Sequence, residues 1–219
     1  MTVASTFVDA FRFMGDNRSL LLHTAAGLSE LAFAALGIAL VVALPLALWL
    51  GHNHRGLFLA LGVSTLGRAL PSIALIGLFI AWLGVGFWNV AVVLVVLAVP
   101  PILANGYFAV EGVDRDVVEA ARGMGLTEAQ ILLRVELPLG LPLILAGVRI
   151  AAIFVIATAT IAAVAGLGGG LGDIIVNQAS YGEAGVLAGA LCVAAIALLT
   201  GLVVGLAQRA ASRRMAPRA

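Results

Sequence analysis

The sequence of 219 residues contains no lysine, and its twelve basic residues are all arginine. A Walker A loop relies on a lysine to reach the nucleotide phosphates, so the chain does not hold ATP by that device. Cysteine is almost as scarce. Cys192 stands alone in an apolar stretch, which excludes an internal disulfide framework and leaves it reading as a small hydrophobic residue. Charge is sparse too, at 11% of residues with a net of +1, so there is no broad basic surface for nucleic acid. The acids Asp9 and Asp16 accompany Arg12 and Arg18 ahead of the first long apolar run. That is not the basic stretch of a secretory signal, and a cleavable leader is not expected.

What fills the chain is apolar: 63% of its residues are hydrophobic, with 26 glycines and 7 prolines. A water-soluble domain of this length cannot hide so much apolar surface, whereas a bilayer accepts it in spans of about 20 residues. Five apolar segments are legible, at about 27–50, 57–83, 87–107, 138–164 and 184–207. Lipid leaves no partner for open strand edges, so the segments read as helices of one all-α membrane domain over 1–219. Their interior Gly, Pro and Ser residues suit close helix contacts in a bundle.

Arginine placement sets an expected orientation. Arg55 lies in the turn after the first segment, and Arg115, Arg122 and Arg134 lie in the polar stretch 113–137. Arg209, Arg213, Arg214 and Arg218 lie in the tail, while the turns near 83–87 and 166–183 have none. The positive-inside rule then puts the N-terminus outside and both the polar stretch and the C-terminus in the cytoplasm. The N-terminal "TFVDAFRFMGDN" reads as a short amphipathic helix along the outer interface.

The polar stretch, "VDRDVVEAARGMGLTEAQILLRVELPLGLP" at 113–142, is carefully punctuated. Asp116 with Glu119, and Thr127 with Gln130, have the spacing of capping boxes. Gly123 and Gly125 can take the left-handed conformation that ends a helix, and Pro138 is expected to stop the second one. The reading is a short helix at 117–124, a glycine turn, and a second helix at 128–136 feeding the fourth span. Ala120 and Ala121 leave the first helix smooth enough for close approach by another protein. Helices this short are marginal alone in water, which favours a docking role over a free-standing loop.

These residues also carry a resemblance. Glu119-Ala120-Ala121, then three residues and Gly125, then nine residues and Val135-Glu136-Leu137-Pro138, resemble the EAA loop of permease subunits in binding-protein-dependent ABC importers. The only departure is Val135, where that pattern usually has Ile. The stretches "LPSIALIGLFIAWLGVGFWNVAVVLVVLAVPPILANGYFAVEGV" and "AVAGLGGGLGDIIVNQASYG" look like permeases for osmoprotectants such as glycine betaine, choline, carnitine and proline betaine. The resemblance implies a type I importer permease of about five spans in a bacterial cytoplasmic membrane, with a cytoplasmic coupling helix. It also implies two ATPase subunits, a second permease and an extracytoplasmic binding protein as partners. Glu119, Ala120, Ala121, Gly123, Gly125, Leu126 and Pro138 would form the ATPase-coupling segment. ATP and its magnesium would be bound by the partners, so no cofactor and no catalytic residue is expected here.

Arg68 and Arg149 lie near the middle of their spans, where a guanidinium is costly unless it faces a cavity or a partner. Two readings stay open: they line the translocation path or gate, or they pair structurally with carbonyls or a neighbour. Pro71 and Ser72 would break the second span, and Pro100, Pro101 and Asn105 mark the third. Each fits either a gating site or a packing kink. The run of glycines from Gly166 to Gly172 reads as an outer turn rather than a dinucleotide fingerprint, since it follows a membrane helix. Glu30 is expected at the outer end of the first span, and Trp82 and Trp88 are expected at an interface. His23, His52 and His54 lack metal-ligand spacing, and no metal is expected. The expected function is import of a small osmoprotectant by alternating access. The alternatives are a permease for an amino acid, sulfonate or other small solute, and an ATPase-independent channel or carrier.

Overall fold

A computed structural model of the chain describes residues 3–162 and 170–215. All of its described secondary structure is helical: α1 (Val3–Asp16), α2 (Arg18–His52), α3 (Leu57–Ala69), α4 (Ser72–Leu83) and α5 (Phe87–Glu111) come first. The remainder are α6 (Arg115–Gly123), α7 (Glu128–Ile131), a π-helical turn (Leu132–Glu136), α8 (Leu137–Ile161), α9 (Leu171–Val176) and α10 (Gln178–Met215). Among the described residues, four stretches are long and apolar enough to cross a membrane: Arg18–His52, Phe87–Glu111, Glu128–Ile161 and Gln178–Arg213.

The expected segment at 57–83 is two helices. Pro71 has no amide hydrogen and adopts φ −66°, ψ 120°, and it drives the residue before it out of helical backbone. Neither α3, with 13 residues, nor α4, with 12, reaches the length of a full span. The first long helix begins at Arg18, earlier than 27, because nothing interrupts it: the Thr24 hydroxyl donates to the Leu20 carbonyl at 2.9 Å within the helix. In α10 the backbone kinks at Gly182, with φ 65°. The end of the 138–164 segment, the glycines at 166, 168 and 169, and Arg218 lie outside the described residues.

The residues group into two compact units. One comprises Met1–Leu36, Leu70–Val95 and Ala152–Thr200. Within it, Gly185 makes room for Phe13, whose ring meets Tyr181 edge-on at 6.5 Å between centroids. Gly189 lies against Ile174 and Ile175, and the apolar interior includes Ile76, Val93, Leu94 and Leu171. Asn89 is buried and donates to the Gly84 carbonyl at 3.0 Å.

The other unit comprises Gly37–Ala69, Val96–Ala151 and Gly201–Ala219. Here α5 is the hub, and glycines bring its neighbours up to it. A Cβ on Gly51 would lie 2.8 Å from the Tyr107 carbonyl oxygen, and one on Gly106 would lie 2.8 Å from the Ala47 methyl. On α8, a Cβ on Gly140 would stand 2.5 Å from the Ala109 carbonyl oxygen, and one on Gly147 would stand 2.6 Å from the Asn105 Cβ. Gly67 of α3 rests on the Pro100 ring. Small residues at these crossings let backbones approach, which is how helices associate where lipid supplies no hydrophobic drive.

Candidate functional site

The polar segment belongs wholly to this second unit. Its first helix, α6, starts two residues earlier than the sequence pattern implied. Asp114, not Asp116, is the N-cap: its carboxylate accepts from the Asp116 amide at 3.0 Å. Both acids can cap, and the earlier one wins because it leaves Asp116 in the first turn, where a carboxylate favours the positive end of the helix. At the other end Gly125 takes φ +83°, while Gly123 stays helical. The Leu126 amide donates to the Ala121 carbonyl at 3.3 Å and the Gly125 amide to the Arg122 carbonyl at 3.0 Å. That double bond pattern with a left-handed glycine is a Schellman ending.

The second helix has the expected capping box. The Thr127 hydroxyl accepts from the Gln130 amide, and the Gln130 side chain accepts from the Thr127 amide at 2.9 Å. The expectation that Pro138 ends this helix is overturned. Leu137 is helical, and its amide donates to the Leu132 carbonyl, five residues back. The π turn widens the coil just where a proline ring would press on the carbonyl four residues before it, so the helix runs on into α8.

A chain of charged groups ties the segment together. Arg122 donates to Glu128 through Nε at 2.9 Å and Nη2 at 3.0 Å, a bidentate bridge from α6 to α7. Glu128 lies 3.4 Å from His52 Nε2, and His52 Nδ1 lies 2.6 Å from Glu136 Oε2. Glu136 is buried, with its side chain 3% exposed, so the pair sits where an unpartnered charge is expensive. His52 ends α2, so the chain links α6, α7, α2 and the π turn. A second bridge joins His54 to Glu111 at 2.6 Å and holds the 53–56 turn on the end of α5. The Arg122 hydrogen bonds hold the Glu128 carboxyl below the usual glutamate range, and the same bonds raise the Arg122 guanidinium above its own.

The sequence-derived residues distribute as follows. Ala121 is buried and Leu126 half-buried, while Glu119, Ala120, Gly123, Gly125 and Pro138 are exposed. Val117 and Ala120 on α6 and Met124 at its C-cap form an exposed stripe, with Met124 75% accessible. Glu119 faces a cavity of about 180 Å³ shared with His54, Arg115, Arg122 and Glu136. Asn105 donates to the Pro101 carbonyl at 2.8 Å and packs on Gly147. Pro71 is exposed and Ser72 half-buried at the α3–α4 break. Arg149 stands beside Gly205, with Arg209 and Arg213. Arg68 falls in α3, and its side chain lies outside the described residues.

His52 and Glu136 were not singled out for any role in the sequence. Their pairing spans 84 positions, and the signals available were a histidine ending a span and an acid in the Glu-Leu-Pro triplet.

Long apolar helices around glycine crossings, with a capped polar helix pair whose α6 stripe is left exposed among the described residues, fit a polytopic transport subunit. The chain belongs to the family of binding-protein-dependent transport system inner membrane components, whose sequence model matches residues 27–217. It is 36% identical over 195 residues to a carnitine transport permease of Listeria monocytogenes, covering 88% of each chain. It is 34% identical over 199 residues to a choline transport system permease of Bacillus subtilis (strain 168), covering 90% of this chain and 91% of that one. Among solved structures, the fold matches an inward-facing crystal form of the MetNI methionine ABC transporter with TM-score 0.75 and 22% identity, over 89% of this chain and 97% of that one. It also matches an amino acid ABC transporter with TM-score 0.70 and 20% identity, over 98% and 100% of the two chains. The protein is thus a multi-pass inner-membrane permease subunit of an ABC importer, not an enzyme, and ATP hydrolysis belongs to a partner subunit.

Proposed function

We propose that this permease imports a small osmoprotectant of the quaternary ammonium class, with the N-terminus outside and the α6–α7 end in the cytoplasm. The substrate class is supported by the carnitine and choline permeases that cover most of the chain. The orientation is supported by ten of the twelve arginines falling in the unit that holds α6 and α7. Partners in this reading are two ATPases, a second permease (identical or homologous) and an extracytoplasmic binding protein. An ATPase docks on the exposed Val117, Ala120 and Met124 stripe, with Glu119 at its edge.

The observation that carries the reading is the Arg122–Glu128–His52–Glu136 chain. A push on α6 reaches α7 through Arg122 and Glu128, then α2 and the start of α8 through His52 and Glu136. ATP binding can shift the permease between states only if the docked ATPases favour one of them, and this chain is how that preference reaches the spans. In this reading Pro71 and Ser72 at the α3–α4 break, with Arg68 and Asn105, belong to the translocation path or its gate.

The test is purification of the assembled importer carrying Glu119→Arg, which is expected to lose the ATPase subunits while the permease stays folded. Retained ATPases with substrate-stimulated hydrolysis overturn the docking reading. Stimulation of the wild-type complex by glycine betaine, choline or carnitine tests the substrate class. A complex stimulated by other solutes and not by these overturns it.

A further inference from the structure

The three arginines grouped by α8 and α10 are not used by the coupling chain. Arg149, Gly205, Gln208, Arg209, Ser212 and Arg213 line an open cavity of about 520 Å³. Among the described residues no acid pairs with Arg149, Arg209 or Arg213. Gly205 is what admits Arg149: a Cβ there would stand 3.3 Å from its Nη1. Three unpaired guanidiniums around one cavity repel one another, and an anion between them relieves that repulsion.

The helix itself indicates which anion. Leu202, Leu206, Arg209 and Arg213 follow one another at spacings of four, three and four, which is a single stripe of α10. Leu202 and Leu206 are 55% and 53% exposed, with Val203 beside them at 64%. An apolar track that ends in a cationic cavity matches an amphiphile with acyl chains and a negative headgroup, and not a small soluble ion. A second copy of the chain is a poor occupant, since a two-fold contact at this face would set the same arginines against each other.

We infer that this cavity binds the phosphate of an anionic phospholipid, with Arg149, Arg209 and Arg213 as its ligands and Leu202 and Leu206 against an acyl chain. Arg149 then serves the lipid face and not the translocation path. A headgroup in the inner leaflet follows from the orientation proposed above, but the binding chemistry does not depend on the side. Basic pockets between spans are suited to such lipids, and each guanidinium removed is expected to lower the preference about fivefold.

The assembled importer is placed in nanodiscs of mixed phosphatidylglycerol and phosphatidylcholine, and retained lipids are counted by native mass spectrometry. Wild type is expected to retain phosphatidylglycerol preferentially. Arg149→Gln, Arg209→Gln and Arg213→Gln each reduce that preference, the triple variant abolishes it, and Arg55→Gln, at an exposed arginine outside the cavity, leaves it unchanged. Thermal unfolding in pure phosphatidylcholine checks that the variants fold. Equal retention of both lipids by wild type, or undiminished preference in a folded triple variant, overturns the inference. Displacement of phosphatidylglycerol by added inorganic phosphate also overturns it, in favour of a soluble-anion site. Disulfide cross-linking of two permeases through Ala210→Cys, in a Cys192→Ser background, overturns it in favour of an interface between copies. The reaction of that same cysteine with a membrane-impermeant reagent reports the side independently of lipid binding.

Discussion

The two compact units of this chain differ in what their charges do. The unit built from Met1–Leu36, Leu70–Val95 and Ala152–Thr200 carries only Arg12 and Arg18 among the arginines, and its one described ion pair is Arg12 with Asp9 at 3.6 Å, largely exposed. The unit built from Gly37–Ala69, Val96–Ala151 and Gly201–Ala219 carries ten arginines and six acids, and there the charges bridge elements: α6 to α7, α7 to α2, α2 to the π turn. Exposed pairs of the first kind contribute little, whereas a buried pair such as His52–Glu136 is costly to break. Polar chemistry in a greasy chain is therefore concentrated where charges bridge helices, at the end proposed to receive the ATPase.

The sharpest way to break this contrast is to remove a buried partner. Glu136→Ala is expected to lower the stability of the purified permease by roughly 3–5 kcal/mol, because His52 loses its near partner. Asp16→Asn, at an exposed site in the first unit, stays within about 0.5 kcal/mol in the same denaturation experiment. Equal effects would erase the distinction between the units.

Glycines sharpen it next. Gly147→Ala forces a methyl against Asn105 and the Pro101 carbonyl and is expected to cost about 1–3 kcal/mol by overpacking. Gly77→Ala in the first unit meets nothing within 4 Å inside a helix and is expected to gain about 0.5–1 kcal/mol. Within the polar segment, Gly125→Ala must hold φ +83° and is expected to cost about 1–2 kcal/mol, while Gly123→Ala in helical backbone does not. Thermal shifts of the four variants rank these effects.

The smallest effect is a pH dependence. Glu128 is held below the usual glutamate range by Arg122, so the bridge stabilises the fold at pH values above the unfolded carboxyl and is lost as pH falls through the lowered one. The contribution of this bridge should therefore fade on acidification from about the ordinary value of 4.5 downward, and Glu128→Gln should remove that component of any decline. The exposed setting of the pair keeps the change small. A decline of the same size in Glu128→Gln would show that other carboxylates account for it.

Much of this was legible before any coordinates. Composition alone demanded membrane helices, Thr127 and Gln130 announced a capping box, and the Glu119-to-Pro138 spacing pointed to the family. Three features were misread or missed for physical reasons. Asp114 and Asp116 are chemically equal caps, and spacing favoured the wrong one. Pro138 ends an α-helix but not a π turn, and hydrophobic periodicity does not reveal the single extra residue that the turn at Leu132–Glu136 takes up. The His52–Glu136 pair depends on α2 and the π turn meeting in space, which no local pattern encodes.

The π turn at Leu132–Glu136 has one more consequence. It is a phase shift: it holds one residue more than an α-helix would, and a residue is worth about 100° of rotation around the axis. Residues on its far side are therefore dialled round relative to α7. Deleting one residue from 132–135 would rewind the coil to α and swing Glu136 away from His52 without touching either side chain. In the proposed coupling the span is a shaft with an adjustable joint at its cytoplasmic end, whose angular setting, as much as its position, decides whether motion is passed on.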